Sequence, residues 1–248
     1  MFQFKQFTIH QRQTAMKVCT DACVLGAWAS ADRLTSLPPS PTILDIGTGT
    51  GLLALMAAQN HPTAQLDAVE IDPDAYAQAI QNVAESPFAN RIQVHEVAIQ
   101  NYQPGHQYDL ILTNPPFFTN HLRSPDAATN RAIHTDTLPF NELITAVNRL
   151  LQPDGQWWVL LPPYEAGQLD QLAATVSLYP FERLLLRHNA QKAPFRHITG
   201  YSYRPNLLQT NSFTIYEPDG SGQPLANPTS ERYTETFRQL LRPFYLIF

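Results

Sequence analysis

Only two cysteines occur among 248 residues, Cys19 and Cys23. A pair four residues apart, without the company of further ligand residues, excludes a disulfide framework and a zinc site, and no metal is expected. Both are read as reduced thiols on one helix face of a cytoplasmic protein. Long hydrophobic runs are missing too. No stretch approaches the roughly 20 apolar residues of a membrane span, and the opening Met-Phe-Gln-Phe-Lys-Gln-Phe lacks the pattern of a secretory signal. The chain is also short of positive charge: Lys+Arg number 16 against 21 Asp+Glu, a net charge of −5 with pI ≈ 5.9. That excludes a broad basic surface, so any contact to nucleic acid must come from a local patch. Repeats and low-complexity stretches are absent, and nothing in the chain announces an obligate protein partner.

What remains is an alternation of strand-like and helix-like segments, which points to an α/β fold around a largely parallel sheet. Strands are expected near 42–46, 65–70, 92–97, 108–113 and 156–161, and helices near 51–60, 73–84, 139–151 and 163–177. Two more strands, near 181–188 and 197–204, flank the polar loop 189–194; their antiparallel pairing would complete a seven-stranded sheet with helices on both faces. The tail holds a possible strand at 212–216 and a helix near 231–241. The weakly periodic segment 118–138 has the character of a substrate lid. Near the start, Phe4–Phe7 reads as extended. Thr20 or Asp21 would cap a helix through Trp28, with Lys17 or Thr20 facing a pocket below such a flap.

Three motifs carry chemistry. The first is Asn114-Pro115-Pro116-Phe117, directly after the strand-like Tyr108–Thr113. An Asn side-chain oxygen and the following Pro carbonyl are two acceptors that together hold a planar NH2 group. The prolines restrict the backbone and so pre-aim both acceptors. Phe117 offers a face on which a flat ring can stack. The exocyclic amine of a purine is a weak nucleophile because its lone pair is delocalised into the ring. Two acceptors on its N–H groups draw that lone pair back onto nitrogen, where charge develops during reaction. Taken alone, the motif also reads as a rigid turn after a strand.

The second motif runs from a strand into Asp45-Ile-Gly47-Thr48-Gly49-Thr50-Gly51 and a helix from Leu52. Glycines allow close backbone approach to a ligand, and the helix start offers free N–H groups. The spacing departs from the dinucleotide pattern, which would put its third glycine at Leu52. Asp45 would repel a pyrophosphate and suits a cationic amine. The third motif is a strand ending in Glu70-Ile71-Asp72, about 20 residues past the glycines, where an acid accepts from ribose hydroxyls. Glu70 is assigned that role; Asp72 caps the next helix, with Pro73 at its first position.

A local basic patch also exists. Arg183, Arg187, Lys192, Arg196 and Arg204 occur with no acid between them, interleaved with His188, His197, Tyr201 and Tyr203. Lys192, Arg196 and His197 are the candidate RNA contacts. Lys5, Arg12 and Lys17 form a smaller basic segment.

Carrying these motifs, the chain resembles the bacterial tRNA1(Val) adenine-37 N6-methyltransferases over nearly its whole length. The matching stretches are 4–7, 15–21, 25–28, 44–56, 67–70, 114–116, 233–235 and 244–246. The terminal ones are the specific ones, because the central ones recur in many amino-methyltransferases. The resemblance implies a class I methyltransferase (Rossmann-like) fold over 1–248 as a single domain: an N-terminal flap and helix (1–30), a core sheet (40–205), and a C-terminal strand and helix (206–248). It implies S-adenosyl-L-methionine as donor and the N6 of an adenosine beside a tRNA anticodon as target. It assigns Asn114, Pro115, Pro116 and Phe117 to the target amine. The cofactor falls to Lys17, Thr20, Asp45, Gly47, Thr48, Gly49, Gly51, Glu70, Ile71, Val97, Ala98 and Asn114. One departure stands out: similar enzymes place an acid after the third core strand to hold the cofactor's adenine, and here that position is Ala98, leaving backbone groups of Val97 and Ala98. Two other amine targets suit the same clamp, guanine N2 or adenine N6 in ribosomal RNA and a protein glutamine amide. A non-catalytic RNA-binding protein on this fold is the alternative of another class.

Overall fold

The computed structural model describes residues 1–12, 14, 17–29, 34, 37–115, 138–217 and 232–248. Pro116, Phe117 and all but the last residue of the expected lid lie outside them. At the N-terminus a two-stranded hairpin forms from β1 (Phe2–Gln3) and β2 (Thr8–Ile9), followed by α1 (Thr20–Trp28). The core then alternates: β3 (Thr42–Ile46), α2 (Leu52–Asn60), β4 (Gln65–Glu70), α3 (Pro73–Ala84), β5 (Ile92–Glu96), β6 (Tyr108–Thr113), α4 (Phe140–Leu150), β7 (Leu151–Leu161) and α5 (Pro163–Ala174). A hairpin of β8 (Tyr179–Arg187) and β9 (Arg196–Ser202), then β10 (Gln209–Thr214) and α6 (Glu235–Leu241), complete the chain.

The main sheet has eight strands in the order β10-β8-β9-β7-β6-β3-β4-β5. The expectation of seven was one short. The tail strand forms three residues earlier than its aromatic run implied and adds to the edge parallel to β8, with Phe213 beside Leu186. Its open-edge partner strand β8 leaves a ladder of backbone groups that pairing satisfies. The β8–β9 hairpin is antiparallel as expected, with β9 inserted between β7 and β8. Strand order reverses at β3, which pairs with β4 on one side and β6 on the other. In open α/β sheets a crevice forms at such a reversal, outside the carboxyl ends of the strands. Both the glycine turn after β3 and Asn114 after β6 emerge there.

Apolar content explains the layers. β3 and β6 are buried nearly throughout (Ile43, Leu44, Leu110, Ile111, Leu112), as a central parallel strand covered on both faces must be. On β7, Trp157 and Trp158 point to opposite faces and enter different core clusters. Trp157 donates to Thr113 Oγ1 at 3.1 Å, which pins the last residue of β6 just before Asn114. At the opposite end of the sheet, Asp67 accepts from Tyr108 Oη at 2.7 Å and pairs with His95 at 2.7 Å, tying β4, β5 and β6 together.

The two termini meet. Phe4 bridges Tyr245, and Lys5 Nζ donates to the carbonyls of Arg242 (2.6 Å) and Phe248 (2.8 Å). Phe4–Phe7 is a turn with its rings stacked at 4.6 Å, not an extended segment, because the Phe4 N–H closes onto the Phe7 carbonyl. The cap of α1 also differs from expectation. Cys19 holds the cap position, Thr20 is the first helical residue, and Asp21 is turned aside to pair with Arg196. Cys23 is buried in α1 while Cys19 is exposed; both are free. Asp72 does cap α3, accepting from Ala75 N at 2.7 Å, with Pro73 first in the helix. Among the described residues no helix is long and apolar enough to cross a membrane.

Candidate active site

Gly47, Gly49 and Gly51 all take positive φ (69°, 57° and 81°). That backbone lets the turn fold under the start of α2, with Gly51 packed against Ala79 of α3. A Cβ at Gly47 or Gly49 would meet nothing within 4 Å, so the turn borders open space. Gly51 has no side chain to cap α2. Asp45 supplies the missing acceptor: its Oδ2 takes the Ala54 N–H at 3.1 Å and the Thr48 hydroxyl at 2.5 Å. Asp45 Oδ1 is buried with no hydrogen-bond partner among the described residues. Burial pushes its carboxyl up to about 7, the Thr48 and Ala54 bonds pull it down, and nearby Glu70 pushes it up again.

Glu70 ends β4, 8 % exposed. Its Oε2 accepts from Gly49 N at 2.8 Å, and Oε1 from Ile71 N and Asp72 N at 2.9 and 3.0 Å. Three of about four acceptor sites are thus used on backbone, leaving one for a ligand hydroxyl. Neither acid lies on the pocket wall. They brace the glycine turn, a role the strand-end pattern did not disclose.

The wall itself is made by Gly47, Thr48, Gly49, Thr50, Leu52, Leu53 and Asn114 from the core, and by Lys17, Val18, Cys19 and Ala22 from the N-terminal segment. Asn114 therefore shares one cavity with the glycine turn, although 65 residues separate Asn114 from Gly49. Its Oδ1 is buried and has no hydrogen-bond partner among the described residues. A buried amide oxygen left unpaired costs about 1–3 kcal/mol, a cost that an N–H donor in the cavity would remove.

The comparisons with known proteins agree with this geometry. A family model described as "Methyltransferase small domain" matches residues 29–168. A relative from Dyadobacter fermentans is 43% identical over 100% of this chain and 98% of its own length. One from Parabacteroides distasonis is 40% identical over 99% and 97%. Both carry the name tRNA1(Val) (adenine(37)-N6)-methyltransferase. The chain belongs to that family.

Solved structures bear out the class I methyltransferase fold. A protein described as a predicted O-methyltransferase from Agrobacterium tumefaciens matches with TM-score 0.61 over 90% of this chain and 96% of its own, at 15% identity. A precorrin-6y C5,15-methyltransferase from Geobacter metallireducens matches with TM-score 0.50 over 79% and 93%, at 12% identity.

Within this methyltransferase frame, several assigned residues sit apart from the cavity. Thr20 is half-buried in the first turn of α1 and is not on the wall; Cys19 and Ala22 are, because helical geometry turns the intervening residues away. Ile71 is 56% exposed at the end of β4. Val97 and Ala98 follow β5, two strands from β3. The Val97 N–H is spent on the Glu70 carbonyl at 2.9 Å, and the Ala98 carbonyl accepts from Asn101. Lys17 lines the cavity, yet its ammonium donates to the carbonyls of Gln11 (2.6 Å) and Thr14 (2.7 Å), fastening the flap to itself.

Sequence reasoning missed Asn82. It is fully buried on α3, donates to the carbonyls of His10 and Thr50 at 2.8 Å, and accepts from His10 N at 2.8 Å. One amide thereby joins flap, helix and glycine turn. A polar residue on the apolar face of a helix was the only signal.

The basic patch changes most. Arg183 is held by both Asp170 oxygens (2.7 and 2.8 Å), Arg196 by Asp21 (3.1 Å) and Arg204 by Asp154 (2.6 Å). The partners come from α5, α1 and β7, so the lack of acids within 183–204 concealed them. Among the described residues Arg187 and Lys192 have no carboxylate partner of this kind; Arg187 bonds to Ser212 Oγ and the Lys192 carbonyl. His197 is half-buried on β9, its Nδ1 without a hydrogen-bond partner among the described residues. Burial, helped by Arg183, lowers its pKa to about 4, so it is neutral at pH 7 and adds no charge for phosphate.

Proposed function

We propose that this protein transfers a methyl group from S-adenosyl-L-methionine to the N6 amine of the adenosine at position 37 of a tRNA1(Val)-type anticodon loop. The observation that carries the reading is the unpaired, buried Asn114 Oδ1 on the wall it shares with the glycine turn. The residues fit the donor: a positive-φ turn bordering open space, with buried Asp45 and Glu70 behind it, whose ionised forms favour a cationic ligand. Gly47, Thr48 and Gly49 would hold it, with Lys17 and the flap over it and Glu70 fixing the turn through Gly49 N. When bound, S-adenosylmethionine supplies a methyl group already activated by a positive sulfonium.

The chain's own contribution is orientation and electrostatics. Asn114 Oδ1 and the Pro115 carbonyl accept from the two N–H groups of the target amine and localise its lone pair. Phe117 is expected to stack on the base. The methylated amine is acidic enough to lose its proton to water, so no strong base is needed. The target lies in a single-stranded loop, where splaying one base costs a few kcal/mol. We take flap, sheet and tail as one catalytic unit, supported by the Asn82 and Lys5 ties.

The test is methyl transfer from labelled donor to total tRNA, ribosomal RNA and a release-factor protein, each from cells lacking this protein. Label recovered as N6-methyladenosine in tRNA supports the proposal. Label in N2-methylguanosine or in protein keeps the clamp and overturns the substrate. Cofactor binding without any transfer returns weight to a non-catalytic RNA-binding protein.

A further inference from the structure

Among the described residues, Arg183, Arg196 and Arg204 are each paired to an acid, which lessens the charge they can offer an RNA loop beside Asn114. The same rim of the sheet offers something else. β8 and β10 run parallel to β7, and β9 antiparallel, so the carboxyl ends of β8 and β10 and the start of β9 lie at the end where β6 delivers Asn114. There the rings of His188 and Phe195 stack at 3.9 Å and 7°. Tyr216 lies nearly parallel to His188, 6.5 Å away, and Tyr233 is 5.3 Å from Tyr216. Two guanidiniums cover rings of the set: Arg196 over Phe195 at 5.6 Å and Arg232 over Tyr216 at 4.6 Å. Arg232 Nε has no hydrogen-bond partner among the described residues.

These rings stand at the margin of the core, Phe195, Tyr216 and Tyr233 packing against it. His188 is exposed, while Phe195, Tyr216 and Tyr233 are half-buried. The backbone beneath them is firmly held, with Tyr216 N donating to the His188 carbonyl at 2.9 Å, Phe195 N to Leu186, and Glu217 N to Arg232. Rings on a rigid backbone, interleaved with arginines and flanked by Arg187 and Lys192, have the composition of a stacking platform for single-stranded nucleic acid. Strand spacing places this set about 10 to 20 Å from Asn114, counting two to four strands across the sheet. Drawing one base into the clamp leaves its neighbours without a stacking partner, and a platform on the same rim replaces it.

We infer that His188, Phe195, Tyr216 and Arg232 form a stacking surface for the loop nucleotides that flank the target adenosine. This rests on the tRNA reading above, and it shifts the RNA contact from charge at Arg196 and His197 to ring faces beside them.

The experiment measures steady-state methylation of an anticodon stem-loop by wild type, His188→Ala, His188→Phe and Arg232→Ala, with cofactor affinity and melting temperature recorded alongside. His188→Ala is expected to raise KM for the stem-loop about tenfold with kcat, cofactor affinity and melting temperature kept. His188→Phe restores KM, since stacking needs a ring and not an imidazole. The salt slope of binding stays unchanged in His188→Ala and falls by about one in Arg232→Ala. Unchanged KM in both alanine variants, with the wild type active on tRNA, overturns the platform alone. A raised KM accompanied by weaker cofactor binding and a lower melting temperature also overturns it, by making the ring structural. A wild type that methylates no tRNA sinks the functional proposal, and the platform with it.

Discussion

Asn114 is one amide oxygen, and the proposal asks it to stabilise charge developing on the target nitrogen. Its loss resembles the loss of one oxyanion-hole donor, so Asn114→Ala should cut kcat by roughly a hundredfold or more while leaving cofactor binding nearly intact. Turnover near wild type would remove the clamp. Asp45 and His197 act in opposite directions on stability over the same pH window. The Asp45 carboxyl is raised to about 7 from 3.8, so it favours the protonated folded state below its unfolded pKa, and that contribution is lost as pH rises through about 7. His197 is lowered to about 4 from 6.5, so its contribution is present above the unfolded value and is lost as pH falls towards 4. Between about pH 4 and 7 the two contributions therefore oppose each other: Asp45→Asn should leave a melting temperature that rises with pH across this window, and His197→Gln one that falls. The ionised form of Asp45, behind the glycine turn, is the one that favours a cationic ligand. Cofactor affinity should accordingly rise with pH through about 7, and titration calorimetry at pH 6 and 8 reads this directly.

At the scale of elements, the flap is the part whose position depends most on single side chains. Asn82 satisfies three backbone groups of two other segments. Asn82→Ala leaves them buried and unpaired, at a cost of about 1–3 kcal/mol for each group that water fails to reach. The expected result is a lower melting temperature together with weaker cofactor binding, because the amide holds both the flap at His10 and the glycine turn at Thr50. A variant that loses stability but keeps full cofactor affinity would separate flap from pocket. Periodicity disclosed the core elements to within a few residues because each buries an apolar face. It missed where the tail strand would pair, since edge pairing is decided by which backbone groups are left open, and backbone groups leave no mark on side-chain patterning.

Across the whole molecule, charge behaves differently from its distribution along the chain. Arg196 is fastened to Asp21 of α1, 175 residues away, so Arg196→Ala should destabilise the protein. Lys192 is exposed, and Lys192→Ala should leave stability unchanged and act, if at all, on the salt dependence of tRNA binding. Equal melting temperatures for the two variants would contradict this division. The glycine turn, the strand-end acid, the Asn-Pro-Pro-Phe stretch and the alternation that builds the sheet were all written in local order, because each depends on neighbours within a few residues. The joining of Asn114 to the glycine turn in one cavity, the reach of Glu70 to Gly49 N, and the neutralisation of three arginines by acids of other elements were not. Those are contacts between different elements, and only the packing of the sheet and its helices decides which of them meet.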